Sequence, residues 1–145
     1  MIDDPEQSAD LKVYDLTEAE ALLAPKSILM LEDETEFSAI VKELLQSDGY
    51  VVTCVGSGME GLKLVMAEDF DAIICDLLMP NLPGDMFYLA VEKTKPKLCK
   101  RFVFISGQRA DPRWESFIQK INGLILWKPF PIGDLLAAIK KVIAL

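Results

Sequence analysis

An open, doubly wound α/β domain built on a five-stranded parallel sheet is the fold this sequence predicts. Three observations lead there. Five short apolar runs recur between Lys26 and Leu145, and they alternate with stretches of helical periodicity. Four of the five runs are apolar without interruption, as suits strands covered on both faces of a parallel sheet. At 145 residues the chain is long enough for one domain with a sizeable core and too short for two ordinary ones.

The runs are Ile28–Leu31, Val51–Val55, Ala72–Cys75, Phe102–Ile105 and Leu124–Trp127. Only the second carries a polar residue, Thr53, which marks it as the edge strand. After the first run, Phe37, Ile40, Val41, Leu44 and Leu45 fall at i, i+3, i+4, i+7 and i+8. That spacing is one face of an α-helix, which Gly49 can close. Asp111 followed by Pro112 reads as an N-cap and first helical residue, with Trp114, Phe117, Ile118 and Ile121 as the buried stripe. The last helix turns Ile132, Leu135, Leu136, Ile139 and Ile143 inward and sets Lys140 and Lys141 near its negative C-terminal end. Residues 1–25 form a leader ahead of this domain. Within it Thr17-x-x-Glu20 is a capping box before Ala21-Leu22-Leu23, and Pro25 ends what it starts. Two turns of helix are marginal alone, so the leader is either a linker from an upstream domain or a short arm docked on residues 26–145.

Composition narrows the function classes. With 51% hydrophobic and 26% charged residues, the chain is a globular protein rather than a disordered one. The net charge of −8 is uneven. The leader holds seven acids against Lys12 alone, a net of −6, which leaves −2 for the other 120 residues. A nearly neutral domain has no electrostatic footprint for nucleic acid, and no direct nucleic-acid partner is expected. No apolar run approaches the ~18 residues of a membrane span, and the acidic start does not resemble a secretory signal. Three cysteines (Cys54, Cys75, Cys99), none in a C-x-x-C pair, fit a reducing compartment. A cytoplasmic protein with no direct membrane contact is expected. Histidine is absent, which excludes Ser/His or Cys/His catalysis and imidazole-based zinc sites.

In an open parallel sheet, ligands bind beyond the carboxyl ends of the strands. Glu32 and Asp33 follow the first run, Asp76 the third, Ser106 the fourth and Lys128 the fifth. Each alone is an ordinary turn or capping residue. Together they place three carboxylates, a hydroxyl and an ammonium at one rim. Such carboxylates repel one another unless a cation sits between them, and all-oxygen donors suit Mg²⁺. A metal and a lysine that neutralise phosphoryl charge, with a hydroxyl that donates to it, leave one carboxylate to act as nucleophile.

Leu31-Glu32-Asp33-Glu34, Asp71 through Gly84 around Asp76, Phe104-Ile105-Ser106-Gly107 and Trp127-Lys128-Pro129-Phe130 resemble the receiver domain of two-component response regulators. The resemblance runs from about Lys26 to Leu145, in order and at the expected spacing. It implies a flavodoxin-like sheet with strand order 2-1-3-4-5. It also implies that Asp76 is the phosphoacceptor, that Glu32, Asp33, Asp76 and the backbone carbonyl of Leu78 hold Mg²⁺, and that Ser106 and Lys128 contact the phosphoryl group. A histidine kinase or histidine phosphotransfer protein would be the donor. The output would be a downstream protein or tethered domain on the face formed by residues 106–145. Such a module catalyses only its own phosphorylation and hydrolysis. Two departures stand out: Ile125 occupies the place of the family's switch aromatic, and Ser106 that of a commoner threonine. The resemblance also implies that Leu78 and Gln108, two residues after Asp76 and Ser106, flank the path of an attacking water. The stretch from Ser106 to Phe130 looks more like receivers attached to hybrid histidine kinases than like those of transcription factors.

One rival reading rests on Gly56-Ser57-Gly58-Met59-Glu60-Gly61, a G-x-G-x-x-G that follows a strand and opens a helix. A dinucleotide-binding domain would use Gly56, Gly58 and Gly61 in this way. Such a fingerprint belongs on a central strand, whereas this strand is the expected edge; tight turns and close helix packing explain the glycines instead. An FMN-binding domain would need a phosphate loop where Glu32-Asp33-Glu34 stands, and a haloacid-dehalogenase-type phosphatase would need an aspartate at Leu31.

Overall fold

The computed structural model describes residues 24–145, so the capping box at Thr17 lies outside the described residues. Strands β1 (Ser27–Leu31), β2 (Val51–Val55), β3 (Ala72–Asp76), β4 (Phe102–Ser106) and β5 (Leu124–Trp127) pair in parallel, in the order β2-β1-β3-β4-β5. The helices are α1 (Thr35–Ser47), α2 (Gly58–Ala67), α3 (Gly84–Thr94), α4 (Pro112–Ile121) and α5 (Ile132–Ile143), with a 3₁₀ segment at Pro96–Arg101. The doubly wound fold and its strand order are those the sequence predicts.

The pleat splits the core in two, because successive side chains leave opposite faces of a strand. Leu29, Leu31, Ile73, Cys75 and Phe104 pack toward α2, α3 and α4. Ile28, Met30, Ile74, Val103 and Ile105 pack toward α1 and α5. Each fully buried aliphatic of this kind contributes about 1.5–3 kcal/mol. The inner strands β1, β3 and β4 therefore form a rigid floor whose carboxyl ends hold the polar residues.

Local signals set the helix ends. Gly49, at φ 94°, follows the end of α1. The Asp111 carboxylate accepts a hydrogen bond from the Arg113 amide at 2.9 Å, with Pro112 opening α4 as predicted. Ser57 caps α2 by accepting from the Glu60 amide at 3.2 Å.

Two expectations need correction. The stripe on α1 is narrower than its periodicity suggests. Ser38, Val41 and Leu45 are the buried positions, whereas Ile40 (60% exposed) and Leu44 (41%) face solvent. Five apolar residues cover a wider arc than the sheet and α5 can bury. Likewise β5 is not covered on both faces. It is the second edge strand, and all four of its residues are half-buried. The edge position predicted for β2 from Thr53 does match.

Two of the three glycines of the dinucleotide-like motif serve packing, whereas a Cβ on Gly56 would meet open space. A Cβ on Gly58 would collide with Leu82, and one on Gly61 would lie 2.8 Å from a Leu31 methyl. They let α2 approach the sheet and the loop after β3, and they sit beside the outermost strand. The geometry does not favour a dinucleotide site.

Candidate functional site

Connections diverge to opposite faces of the sheet between β1 and β3, and a crevice opens there beyond the strand ends. Glu32 directly follows β1, and its amide donates to the Val55 carbonyl at 3.0 Å, which carries the β1–β2 ladder one residue further. Asp76 ends β3, Ser106 ends β4 and Lys128 directly follows β5. The Lys128 amide donates to the Ser106 carbonyl at 2.8 Å and so fixes the base of the lysine. Lys128-Pro129 is a cis peptide.

The lysine reaches across the crevice. Its Nζ donates to Glu32 Oε1 at 2.6 Å and to Asp76 Oδ2 at 2.9 Å, and it lies 4.5 Å from the centre of the Phe37 ring. Asp76 Oδ1 accepts from the Leu78 amide at 2.9 Å. Glu32 Oε2 accepts from the Glu34 amide at 3.1 Å. Both acids are nearly enclosed, Glu32 at 2% exposure and Asp76 at 5%, whereas Asp33 is open to solvent. One oxygen from each of Glu32, Asp33 and Asp76 can be chosen so that all three lie within 4.8 Å of one another. A cleft of about 560 Å³ opens above them, lined by Asp33, Asp76, Leu78, Gln108 and Lys128 among others.

The electrostatics are unbalanced. Three carboxylates face one ammonium, and Glu34 adds a fourth at 3.9 Å from the lysine. Burial raises the Glu32 carboxyl to about 7; the Lys128 hydrogen bond opposes the rise and the Asp76 charge adds to it. Burial works to lower the Lys128 ammonium, but its hydrogen bonds to Glu32 and Asp76 prevail and hold it above the ordinary lysine value. The surplus negative charge and the all-oxygen donor set fit a hard divalent cation such as Mg²⁺.

Of the residues singled out from the sequence, Glu32, Asp33, Asp76 and Lys128 come together directly. Ser106 is fully buried beside them, and its hydroxyl accepts from the Gln108 amide at 3.1 Å rather than contacting Asp76. The Leu78 side chain lines the cleft and is 53% exposed. Sequence reasoning missed three participants. Glu34 approaches the lysine, Phe37 lies beneath it, and Trp114 donates from its indole to Gln108 Oε1 at 3.4 Å. Phe37 and Trp114 both fall on apolar helical stripes, which read as core.

The family model of the response regulator receiver domain matches residues 28–140. The chain belongs to this family. It is a receiver domain of the two-component signalling type, and no helix among its described residues is long and apolar enough to cross a membrane. The sensor kinase CckA of Brucella abortus is 27% identical over 143 residues, which is 97% of this chain but 15% of that protein. The response regulator receiver protein CpdR of the same organism is 26% identical over 118 residues, covering 81% of this chain and 97% of CpdR. Among solved structures, a CheY-like receiver domain protein from Methanospirillum hungatei superposes with a TM-score of 0.76 at 24% identity, covering 83% of this chain and 95% of that one. The receiver domain of a sensor histidine kinase from Pseudomonas aeruginosa gives 0.73 at 24% identity, over 84% and 100% of the two chains. Its structure has a magnesium ion coordinated in the active-site cleft.

Proposed function

We propose that this receiver domain accepts one phosphoryl group on Asp76 from a histidine kinase or histidine phosphotransfer protein. The observation that carries the reading is the state of Asp76. It ends an inner strand at the floor of an open cleft, with one oxygen held by the Leu78 amide and the other by Lys128. A carboxylate oxygen attacks phosphorus. The new O–P bond forms as the bond from phosphorus to the donor breaks, and that electron pair leaves with the donor. Lys128 neutralises charge on the phosphoryl oxygens. Ser106 keeps its own O–H available while its oxygen accepts from Gln108, so the hydroxyl can donate that proton to the incoming group. Asp33, Asp76 and the Leu78 carbonyl would hold Mg²⁺, with Glu32 acting through a water. When bound, the ion would supply positive charge that offsets the charge of the carboxylates and of the phosphoryl oxygens. In this reading the domain promotes its own phosphorylation and hydrolysis and turns over no separate substrate. The match to the sensor kinase extends into the leader, which favours a receiver of the hybrid-kinase type.

The metal assignment has a direct test. Asp33 is the solvent-facing acid of the cluster, and it makes no ion pair among the described residues. Asp33→Ala should weaken Mg²⁺ binding by roughly tenfold or more, the loss of one carboxylate beside a divalent ion. It should also raise the melting temperature of the metal-free protein, because one of several crowded negative charges is gone. Calorimetric titration reads the first effect and thermal unfolding in chelator the second. Unchanged Mg²⁺ affinity would remove Asp33 from the metal site.

The output surface is proposed to be the face formed by residues 106–145. Gln108 links the site to α4 through two hydrogen bonds: its backbone amide donates to Ser106 Oγ, and its side-chain Oε1 accepts from the Trp114 indole. Ile125 packs with the core on the α4 side of the sheet and supplies no ring to move. Beryllium fluoride, a phosphoryl mimic, should therefore change hydrogen exchange across residues 106–121. In Gln108→Ala the change should persist at 106–110 and shrink across α4. Equal changes on α4 in both proteins would show that the signal bypasses this link.

A further inference from the structure

At the opposite end of the sheet, beside the amino ends of β1, β3 and β4, lies a groove of about 710 Å³. Phe70, Pro96, Leu98 and Leu145 give it an apolar lining, and Lys97, Lys100 and Arg101 give it a positive rim. Between Lys93 and Arg101 the chain carries five basic side chains and no acid. Two of the basic groups are engaged. Lys95 pairs with Asp69 at 3.2 Å, and Arg101 donates to the Leu145 carbonyl at 3.1 Å and weakly to the Asp71 carbonyl at 3.5 Å. Lys97 and Lys100 are exposed and have no ion-pair partner among the described residues.

The chain enters the sheet beside this groove. The Ser27 amide donates to Asp71 Oδ2 at 2.7 Å, and the Ser27 hydroxyl to the carbonyl of the groove residue Asp69 at 3.4 Å. Leu23 lies four positions before Ser27, a reach of at most about 14 Å when fully extended. The leader that arrives there bears a net charge of −6, with Asp15, Glu18 and Glu20 just ahead of Leu22 and Leu23. We propose that residues 15–23 of the leader dock in this groove, with Leu22 and Leu23 on its apolar lining and the acids against Lys97 and Lys100. Tethering makes the contact intramolecular, so a weak intrinsic affinity suffices to hold it. The arm would then leave the domain at the end of the sheet away from Asp76 and set how anything joined to it is oriented. This rests on charge, lining and reach, and it is independent of phosphoryl chemistry at the other end.

Hydrogen exchange on the full chain tests the dock. At low salt, amides of residues 17–23 should exchange more slowly than in a free peptide, and the protection should fall at roughly 0.5 M salt, where the Debye length is a few ångströms. Reversing the rim with Lys97→Glu and Lys100→Glu should cut that protection about fivefold, as expected for two exposed ion pairs, while β3 amides stay protected as the fold control. Adding Glu18→Lys and Glu20→Lys to the reversed rim should restore it. Free-peptide rates in the wild type would overturn the proposal, as would equal protection in the reversed-rim protein or no recovery in the charge swap. Protection that grows with protein concentration would also overturn it, by assigning the groove to the leader of a second copy.

Discussion

Asp76→Asn is expected to abolish phosphoryl uptake while leaving the fold intact. Incubated with Mg²⁺ and acetyl phosphate, the wild type should gain the mass of one phosphoryl group and the variant should gain none. The substitution is nearly isosteric. The side-chain oxygen of asparagine can still accept from the Leu78 amide, which Asp76 Oδ1 does now at 2.9 Å. What disappears is the anionic oxygen, and a neutral amide is a poor nucleophile toward phosphorus. Stability supplies the control. The site holds Glu32, Asp33 and Asp76 against Lys128, so removing one negative charge should leave the melting temperature of the metal-free protein unchanged or higher. A variant that stays folded and unlabelled separates the loss of chemistry from the loss of structure. Equal labelling of the variant would move the acceptor to another carboxylate, and Asp33, in the same cleft, would be the first to replace next.

Much of this site was legible because of a property of parallel sheets. All the strands run in one direction, so the residue that ends or follows each apolar run arrives at the same rim. That rule alone brings Glu32, Asp76, Ser106 and Lys128 into one neighbourhood. It does not say which way a side chain turns. Ser106 is at the rim, yet its hydroxyl faces its own loop through Gln108, because the turn after β4 brings that amide within reach. Phe37 sits on the apolar stripe of α1 and reads as core, but Lys128 crosses above its ring. The pairing of Gln108 with Trp114 depends on the path of the loop between them, which periodicity does not describe. Burial was least legible at the margins. Leu124-Ile125-Leu126-Trp127 is as apolar as an inner strand and is nonetheless an edge, pairing with β4 on one side alone and half-buried at all four residues. Ile40 and Leu44 show the same effect on α1, where the apolar arc is wider than the surface available to receive it.

The second large effect concerns Lys128, the one cation in contact with both Glu32 and Asp76 among the described residues. Removing one partner of a buried pair costs about 3–5 kcal/mol when the remaining charge has no escape. Here Glu32 has one, because burial already holds its carboxyl at about 7 and it can take up a proton. The sign follows from linkage. A carboxyl whose folded-state value lies above its unfolded value of 4.5 keeps its proton longer in the native protein. It therefore stabilises the fold in acid and loses that contribution as the pH rises toward and through 7. Lys128→Ala removes the hydrogen bond that restrains Glu32, so the carboxyl should move higher still and the loss should extend to higher pH. Denaturant unfolding in chelator should accordingly show a penalty of about 1 kcal/mol near pH 5 that grows to about 3 kcal/mol near pH 8. Adding Glu32→Gln should recover most of the alkaline penalty, since the buried charge left without a cation is then gone. A penalty that is the same at both pH values, and that Glu32→Gln does not relieve, would mean the lysine acts through its packing over Phe37, and that the ion pair contributes little to stability.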